Sequence, residues 1–222
     1  MTTFDQLSWN QQQVDLIVGT LLGDGNLSSE SLTAGWRYRA AQKTEHLQYL
    51  EHKYQILKDS CGTSINNGDY YDPRTNKIYK RHYFNTLVHP DFKFFGEMFY
   101  TWDPILQKYK KDVPVDIHKY LTPAAIAYFY MDDGALKWKG QSNAMRICTE
   151  SFSEEGVKRL QAAFWCHYKI YVSLTPHKKN GQFVGYRLFI NEENSSRFRT
   201  LVAPHLVHCM RYKVSDGNYG TL

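Results

Sequence analysis

The sequence predicts an α+β protein in which one αββαββα unit occurs twice. Two apolar runs, residues 17–25 (IVGTLLGDG) and 126–134 (IAYFYMDDG), each end in an aspartate followed by glycine. From each run onward, segments with helical and strand periodicity follow one another in the same order. The two aspartates, Asp24 and Asp133, stand 109 residues apart. From this duplication we infer a pseudo-two-fold monomer in which the two run helices meet at the axis.

Length, charge and cysteine usage limit the possible classes of protein. The 222 residues suffice for one large domain or for two. A net charge of +5 favours an acidic partner, and residues 34–43, 74–82 and 177–187 are basic stretches without an acid. The four cysteines form no CxxC pair, so we expect reduced thiols rather than a zinc site or a disulfide framework.

No targeting or membrane segment is visible in the sequence. Residues 1–13 lack a basic region that leads into an apolar stretch, and no apolar run reaches the ~20 residues of a membrane span. We therefore expect an intracellular protein without a membrane partner. Its compartment would be the cytoplasm of a prokaryote or an organelle, either a mitochondrion or a chloroplast.

The first repeat opens with the helix that contains the first apolar run. Ser8 and Gln11 have the capping-box spacing that predicts the start of this helix, and Gly25 predicts its end. Gly19 and Gly23 lie on one face of the helix. Because a mid-helix glycine costs roughly 0.5–1 kcal/mol relative to alanine, this pair predicts the close approach of another backbone.

The other elements follow from periodicity and turn residues. In the first repeat, residues 1–102, we expect strands at 26–32 and 36–42, a helix at 45–59, a hairpin at 63–71 and 77–87, and a helix at 90–100. A linker at 103–121 leads to the second repeat, residues 122–222. There, Thr122 before a proline predicts a helix start, and Ser153 caps a later helix. The rest are strands at 135–139 and 144–149, a hairpin at 170–177 and 183–190, and a helix at 193–203.

Three longer stretches resemble a known family. They are residues 7–27 (LSWNQQQVDLIVGTLLGDGNL), 113–138 (VPVDIHKYLTPAAIAYFYMDDGALKW) and 205–218 (HLVHCMRYKVSDGN). With the two apolar runs they resemble the paired motifs of the LAGLIDADG homing endonucleases, in the single-chain branch that carries two motifs. The likeness extends over about residues 6–218. In one departure from the motif, Tyr128 and Asp132 stand where it carries small residues.

The resemblance implies a fold and a metal site. Two four-stranded antiparallel sheets would form a saddle on double-stranded DNA, with the motif helices packed at its centre. The last acid of each motif, Asp24 and Asp133, would bind divalent metal. Carboxylate ligands that leave room for water and substrate oxygens suit Mg²⁺, and we expect Mn²⁺ to substitute. Phosphodiester hydrolysis needs an activated water and charge stabilisation at phosphorus, which such a metal supplies.

Further catalytic residues follow from the same resemblance. One active-site lysine corresponds to Lys111, with Lys110 as the adjacent register, and the second corresponds to Lys213. Gln42 resembles a polar residue that helps to order water around the metals. Its counterpart in the second repeat would lie near Glu150 or Ser151.

Strand residues are the candidates for DNA recognition. A curved sheet with basic and amide side chains on its outer face can follow the major groove, where base edges are distinguishable. The candidates, most of them basic, are Arg37, Arg39, Lys77, Tyr79, Arg81, Lys137, Lys139, Arg146, Lys178 and Arg187. Ordinary solvation of a sheet face is the alternative for any one of them. As a set they are better supported, because the basic clusters fall on strands in both repeats.

The resemblance therefore implies a site-specific homing endonuclease that makes a double-strand break in a long DNA target and so spreads its intron or intein-like element. On the same fold, the alternatives are an RNA maturase that binds intron RNA and a non-catalytic DNA-binding regulator. Degenerate acids would favour either alternative, and here both acids are present. An α+β protein with accidental basic strands is disfavoured by the duplication.

Overall fold

The computed structural model describes residues 7–29, 34–73, 75–138 and 141–214, and its α+β architecture is duplicated as predicted. The first half contains α1 (Gln11–Leu22), β1 (Asn26–Ser28), β2 (Arg37–Lys43), α2 (Leu47–Leu57), β3 (Asn66–Asp72), β4 (Lys77–Asn85) and α3 (Asp91–Phe99). A hairpin of β5 (Tyr100–Asp103) and β6 (Lys108–Lys111) follows. The second half contains α4 (Pro123–Asp133), β7 (Gly134–Trp138), β8 (Ser142–Ile147), α5 (Glu154–Tyr168), β9 (Ser173–Lys179), β10 (Gln182–Ile190) and α6 (Glu192–Val202).

Each half forms one four-stranded antiparallel sheet, and the strand orders correspond. They are β1-β2-β4-β3 in the first half and β7-β8-β10-β9 in the second. Asn26 of β1 lies opposite Arg39 of β2, and Ala135 of β7 lies opposite Arg146 of β8. Asn26 and Ala135 each stand two residues after a motif acid. The register of the two sheets therefore relates Arg39 to Arg146.

The two motif helices, α1 and α4, pack against each other at the centre. Residues 125–131 of α4 are all buried, as expected for a helix that is apolar on every side. Gly19 of α1 faces the Ala125 carbonyl and the Tyr128 side chain, and Gly23 faces Asp132. The two residues that depart from the small-residue motif are therefore each accommodated by a glycine on the partner helix.

Replacing Gly19 by alanine is expected to lower the free energy of unfolding by about 1–3 kcal/mol through overpacking. The new Cβ would stand 2.6 Å from Tyr128 Cβ and even closer to the Ala125 carbonyl oxygen, which is backbone and cannot rotate away. This cost exceeds the roughly 0.5–1 kcal/mol that alanine gains in a helix. Urea unfolding measures it, with Gly68→Ala as the control, where the new Cβ lies 3.8 Å from its nearest neighbour. Equal unfolding midpoints for the two variants would contradict the close helix contact.

The predicted start of α1 was wrong by two residues. Asn10, not Ser8, caps the helix, and its side chain and that of Gln13 form the capping box. The Ser8 amide and hydroxyl both donate to Asp91 Oδ2 at 2.7 Å. Because Ser8 is bonded to Asp91, which lies 83 residues further along the chain, its side chain does not cap the helix.

The hairpin of β5 and β6 occupies residues 100–111, which include the start of the predicted linker. It packs on the first sheet, because the Tyr109 ring lies 4.6 Å from that of Trp36. The Tyr100 hydroxyl donates to Asn26 Oδ1 and accepts from the Leu27 amide. The hairpin therefore anchors its last residue, Lys111, beside the end of α1. Within the described parts of the chain, no helix is both long and apolar enough to cross a membrane.

Candidate active site

The two predicted acids lie at the C-terminal ends of the central helices. Asp133 is the last residue of α4, and Asp24 follows Gly23, which caps α1. The negative end of a helix dipole disfavours an anion, by about 0.3–1 kcal/mol per group. Two acids at two adjacent C-termini are therefore unfavourable unless positive charge nearby compensates them.

The electrostatics of Asp133 lead to the same inference. Burial, together with the negative charges of Asp24 and Asp132, raises the pKa of Asp133 to about 8, against the opposing effect of Lys111 and Lys213. In the described part of the chain, no three histidine, cysteine, aspartate or glutamate side chains converge as ligands. Asp24 and Asp133 fit a divalent cation that is held by one or two carboxylates and completed by water and substrate phosphate oxygens.

Two lysines flank the acids in matching positions. Lys111 Nζ donates to the carbonyl oxygens of Gly23 at 3.0 Å and Gly25 at 3.1 Å. Lys213 Nζ donates to the carbonyl oxygen of Asp132 at 2.9 Å. Burial lowers the pKa of both lysines, and the nearby acids oppose that shift. Of the two registers left open by the sequence, the structure brings Lys111 to the acids and leaves Lys110 exposed on the other face of the hairpin.

Gln42 is also at the site, on the buried face of β2. Its Nε2 donates to Asp24 Oδ2 at 3.4 Å. Its Oε1 can only accept, so His46 Nδ1 donates to it, also at 3.4 Å. Burial lowers the pKa of His46, which favours the neutral ring, and the free Nε2 then accepts from the Tyr212 hydroxyl at 3.0 Å. A chain of hydrogen bonds from Tyr212 through His46 therefore orients the Gln42 side chain. Tyr212 is the residue before Lys213, so the segment that carries this lysine also supports Gln42.

The strand register relates Gln42 to Thr149, the residue before the predicted position at Glu150 or Ser151. Because Arg39 corresponds to Arg146, the residue three positions further on corresponds to Gln42, and it is Thr149. The buried Thr149 hydroxyl donates to the Tyr186 carbonyl at 2.7 Å. At this position the second half therefore has a hydroxyl in place of the amide that contacts the acid in the first half.

A buried ion pair that was not predicted from the sequence lies behind Asp24. Lys53 of α2 and Asp132 of α4 are 2.8 Å apart, and their side chains are 1% and 0% exposed. The other oxygen of Asp132 accepts from the Asp24 amide at 3.2 Å. One feature of the sequence could have indicated this ion pair. Lys53 falls on the apolar stripe of α2, between Leu50 and Leu57.

In the first half, the predicted DNA-contact residues share one face of the sheet. Arg39 pairs with Asn85, and alternation along β2 and β4 places the others on the same side. These residues are Arg37, Arg39, Lys77, Tyr79 and Arg81. Arg81 also lies over the Tyr70 ring at 5.0 Å. A groove of about 260 Å³ connects this face to Asp24, and Arg39, Arg81 and Asn85 line it.

In the second half, the predicted set is divided. Lys137, Arg146 and Arg187 share a face, where Lys137 Nζ lies 4.0 Å above the Phe189 ring. Arg187 is bound to Glu150 through two hydrogen bonds, so an acid lies within this face.

Lys178 and Lys139 stand apart from that set. Lys178 lies on the opposite face of β9, because side chains alternate along the strand and Thr175 is the residue opposite Arg187. Lys139 is outside the described residues.

Comparisons with known proteins identify the family of this chain. The profile of the LAGLIDADG DNA endonuclease family matches residues 14–198. The chain is 55% identical over 218 residues to the DNA endonuclease I-ChuI of Chlamydomonas applanata, covering 97% of this chain and 100% of the relative. It is 28% identical over 212 residues to the cytochrome b mRNA maturase bI2 of Debaryomyces hansenii, covering 95% of this chain and 75% of that protein.

Solved structures share the fold. The homing endonuclease I-WcaI bound to its DNA recognition sequence superposes with a TM-score of 0.82 at 19% identity, over 95% of this chain and 89% of that one. I-DmoI in complex with DNA and Mn superposes with a TM-score of 0.55 at 15% identity, over 87% of this chain and 97% of that one. The saddle of two sheets around a central helix pair is therefore confirmed as the architecture.

Proposed function

The chain belongs to the LAGLIDADG DNA endonuclease family, and from this premise we propose that it is a site-specific homing endonuclease that makes a double-strand break in a long DNA target. The observation that carries the proposal is the meeting of two acids at the ends of α1 and α4, each end flanked by a half-buried lysine. The basic faces of the two sheets extend from this centre. Cleavage would promote the spread of the intron or intein-like element that encodes the protein.

Asp24 and Asp133 would hold the divalent metal at the scissile phosphates. I-DmoI, which shares the fold, was solved with DNA and Mn, which supports dependence on a divalent metal. We propose Mg²⁺, with Mn²⁺ as a substitute, because two carboxylates with room for water and phosphate oxygens suit Mg²⁺. When bound, the metal supplies an activated water and charge stabilisation at phosphorus.

The protein's own groups act around that centre. Lys111 and Lys213 would offset negative charge on the phosphate as the bond breaks, since each ammonium group is fixed by a backbone carbonyl beside an acid. Gln42 would order a water molecule next to Asp24, and the hydrogen bond from His46 holds its amide in the required orientation. Each role is positional, so small displacements would cost large factors in rate.

DNA recognition would use the two basic sheet faces. Arg39 and Arg81, on the groove that leads to Asp24, would approach the DNA next to the cleavage position. In the second half, Arg187 is already held by Glu150, and a guanidinium fixed in one orientation can read guanine through two hydrogen bonds. Arg146 shares this face with Arg187 and would approach the DNA beside it. Other lysines would bind phosphates and fix the register.

Three further proposals concern the oligomeric state, an RNA partner and the compartment. We propose a monomer, because one chain supplies both acids and both sheets. The similarity to a cytochrome b mRNA maturase supports intron RNA as a second ligand. The relatives from Chlamydomonas applanata and Debaryomyces hansenii, the second of them a cytochrome b mRNA maturase, support an organelle as the compartment. Titration of the intron RNA against the DNA target would separate a maturase from an endonuclease.

Cleavage selection on a randomised duplex library tests the function directly. With Mg²⁺ present, we expect the protein to enrich one long site and to cut both of its strands. Without divalent metal, we expect binding to the same site and no cutting. A double variant, Asp24→Asn with Asp133→Asn, serves as the control for contaminating nucleases. Absence of cleavage with both Mg²⁺ and Mn²⁺, or cleavage by the double variant, would contradict the proposal.

A further inference from the structure

We propose that Asp132, held by Lys53, is a positioning residue that fixes Asp24 and therefore governs the two strand cuts unequally. The inference rests on the endonuclease function proposed above. Asp132 belongs to the second motif, yet its carboxylate reaches into the first half of the molecule. One half of the chain thus supplies the support for the acid of the other half.

Both oxygens of the Asp132 carboxylate are engaged. Oδ1 accepts from Lys53 Nζ at 2.8 Å, and Oδ2 accepts from the Asp24 amide at 3.2 Å. The side chain is 0% exposed, so water does not compete for either bond. A carboxylate engaged in this way is not a free metal ligand, and its role is to hold the backbone at Asp24.

The surroundings of Asp132 fix its position from several sides. Lys53 Nζ lies 4.1 Å above the Tyr49 ring, which adds a cation–π contact to the ion pair. Lys213 holds the Asp132 carbonyl at 2.9 Å. Gly23 leaves the space that the carboxylate fills, because a Cβ at Gly23 would stand 2.8 Å from Asp132 Oδ2. The contact to Asp24 therefore depends on a site built from both halves.

The two acids need this support to different degrees. Asp133 is within the last turn of α4, where the helix backbone fixes it. Asp24 lies one residue beyond the cap of α1 and is exposed, so no helical hydrogen bond orients it. Gly23, at the position of the first motif that matches Asp132, has no side chain to reach across to the second half. Loss of the Asp132 contact should thus disturb the part of the active site around Asp24 and leave the part around Asp133 unchanged.

Two matched double variants isolate this contact. Lys53→Met with Asp132→Asn removes both charges but keeps an oxygen that can accept from the Asp24 amide. Lys53→Met with Asp132→Leu removes the charges and the acceptor with a side chain of nearly the same shape. Replacement of a buried ion pair by apolar groups of similar volume is often neutral or stabilising, so the leucine variant is expected to fold. The asparagine variant is expected to fold because its amide keeps the hydrogen bond to the Asp24 amide. Each is assayed on the selected duplex with the two strands labelled differently.

We expect the leucine variant to slow cutting of one strand by about 10-fold to 100-fold relative to the other, the range expected for a misplaced catalytic group. The asparagine variant should keep the ratio of the two strand rates within about threefold of the wild-type ratio. Gly23→Ala, which displaces the carboxylate without changing any charge, should shift the ratio in the same direction. It provides a second test that does not depend on how the double variants fold.

A control at the far end of the helix pair separates positioning from stability. Asp15 Oδ1 accepts from the Thr122 hydroxyl across the same interface at 2.7 Å. Asp15→Leu should lower the melting temperature and leave the ratio of strand rates unchanged. If the leucine variant and Gly23→Ala both keep the wild-type ratio, or slow both strands equally, the positioning role is overturned. A wild-type protein that cuts neither strand would overturn the proposed function, and this inference with it.

Discussion

Replacement of Asp24 or Asp133 by asparagine is expected to reduce double-strand cleavage by at least about 1,000-fold. Each variant loses a metal-binding carboxylate, and a metal ion contributes several kcal/mol of charge stabilisation in such reactions. About 4 kcal/mol corresponds to that factor, since each 1.36 kcal/mol is tenfold. Timed cleavage of the selected duplex in Mg²⁺ measures the loss. DNA affinity, measured by gel shift without metal, should change little because the sheet faces are intact.

The loss should not reflect unfolding. The neutral form of Asp133 is already favoured by its burial next to other acids, so asparagine removes an unfavourable charge rather than a stabilising one. The melting temperature of Asp133→Asn should be equal to or higher than that of the wild type. Glu97→Gln, on the exposed side of α3, is the control for loss of an acid elsewhere. Undiminished cutting by either active-site variant would contradict the assignment.

Features that repeat along the chain could be predicted from the sequence. The paired aspartates and the common order of elements indicated two like halves, and each half forms the four-stranded antiparallel sheet that the family resemblance implied. Gly19 and Gly23 indicated close helix contact, because a glycine pair on one face of a buried helix costs stability unless another backbone packs there. Such signals are local and recur, so one copy supports the other.

Features that depend on contacts between distant residues could not be predicted. Ser8 has the spacing of a capping residue, but Asp91 binds it instead. Lys178 follows the basic pattern, but the pairing of Thr175 with Arg187 on the neighbouring strand places it on the opposite face of the sheet. The Lys53–Asp132 pair joins two halves, and its single sequence signal is a charged residue on an apolar stripe. In each case the partner that decides the outcome is remote in sequence.

The metal requirement is expected to rise as pH falls, by about 50-fold between pH 8 and pH 6. Burial and the neighbouring acids raise the pKa of Asp133 to about 8, so below that pH the carboxyl holds a proton that the metal must displace. At pH 6 about one molecule in a hundred is ionised at this residue, against about one half at pH 8. Cleavage rates measured across a Mg²⁺ titration at pH 6, 7 and 8 give the half-saturating concentrations.

The stability of the metal-free protein provides a check that needs no activity. The unfolded chain releases the Asp133 proton near the ordinary carboxyl pKa of 3.8, whereas the folded protein holds it to about 8. The folded state therefore binds more protons in this window, and its stability falls as pH rises from about 4 to 8. Asp133→Asn should flatten that fall, and Mg²⁺ with the target duplex should offset it in the wild type. A half-saturating Mg²⁺ concentration that stays constant from pH 6 to pH 8, with a stability profile unchanged in Asp133→Asn, would show that Asp133 carries no proton to displace.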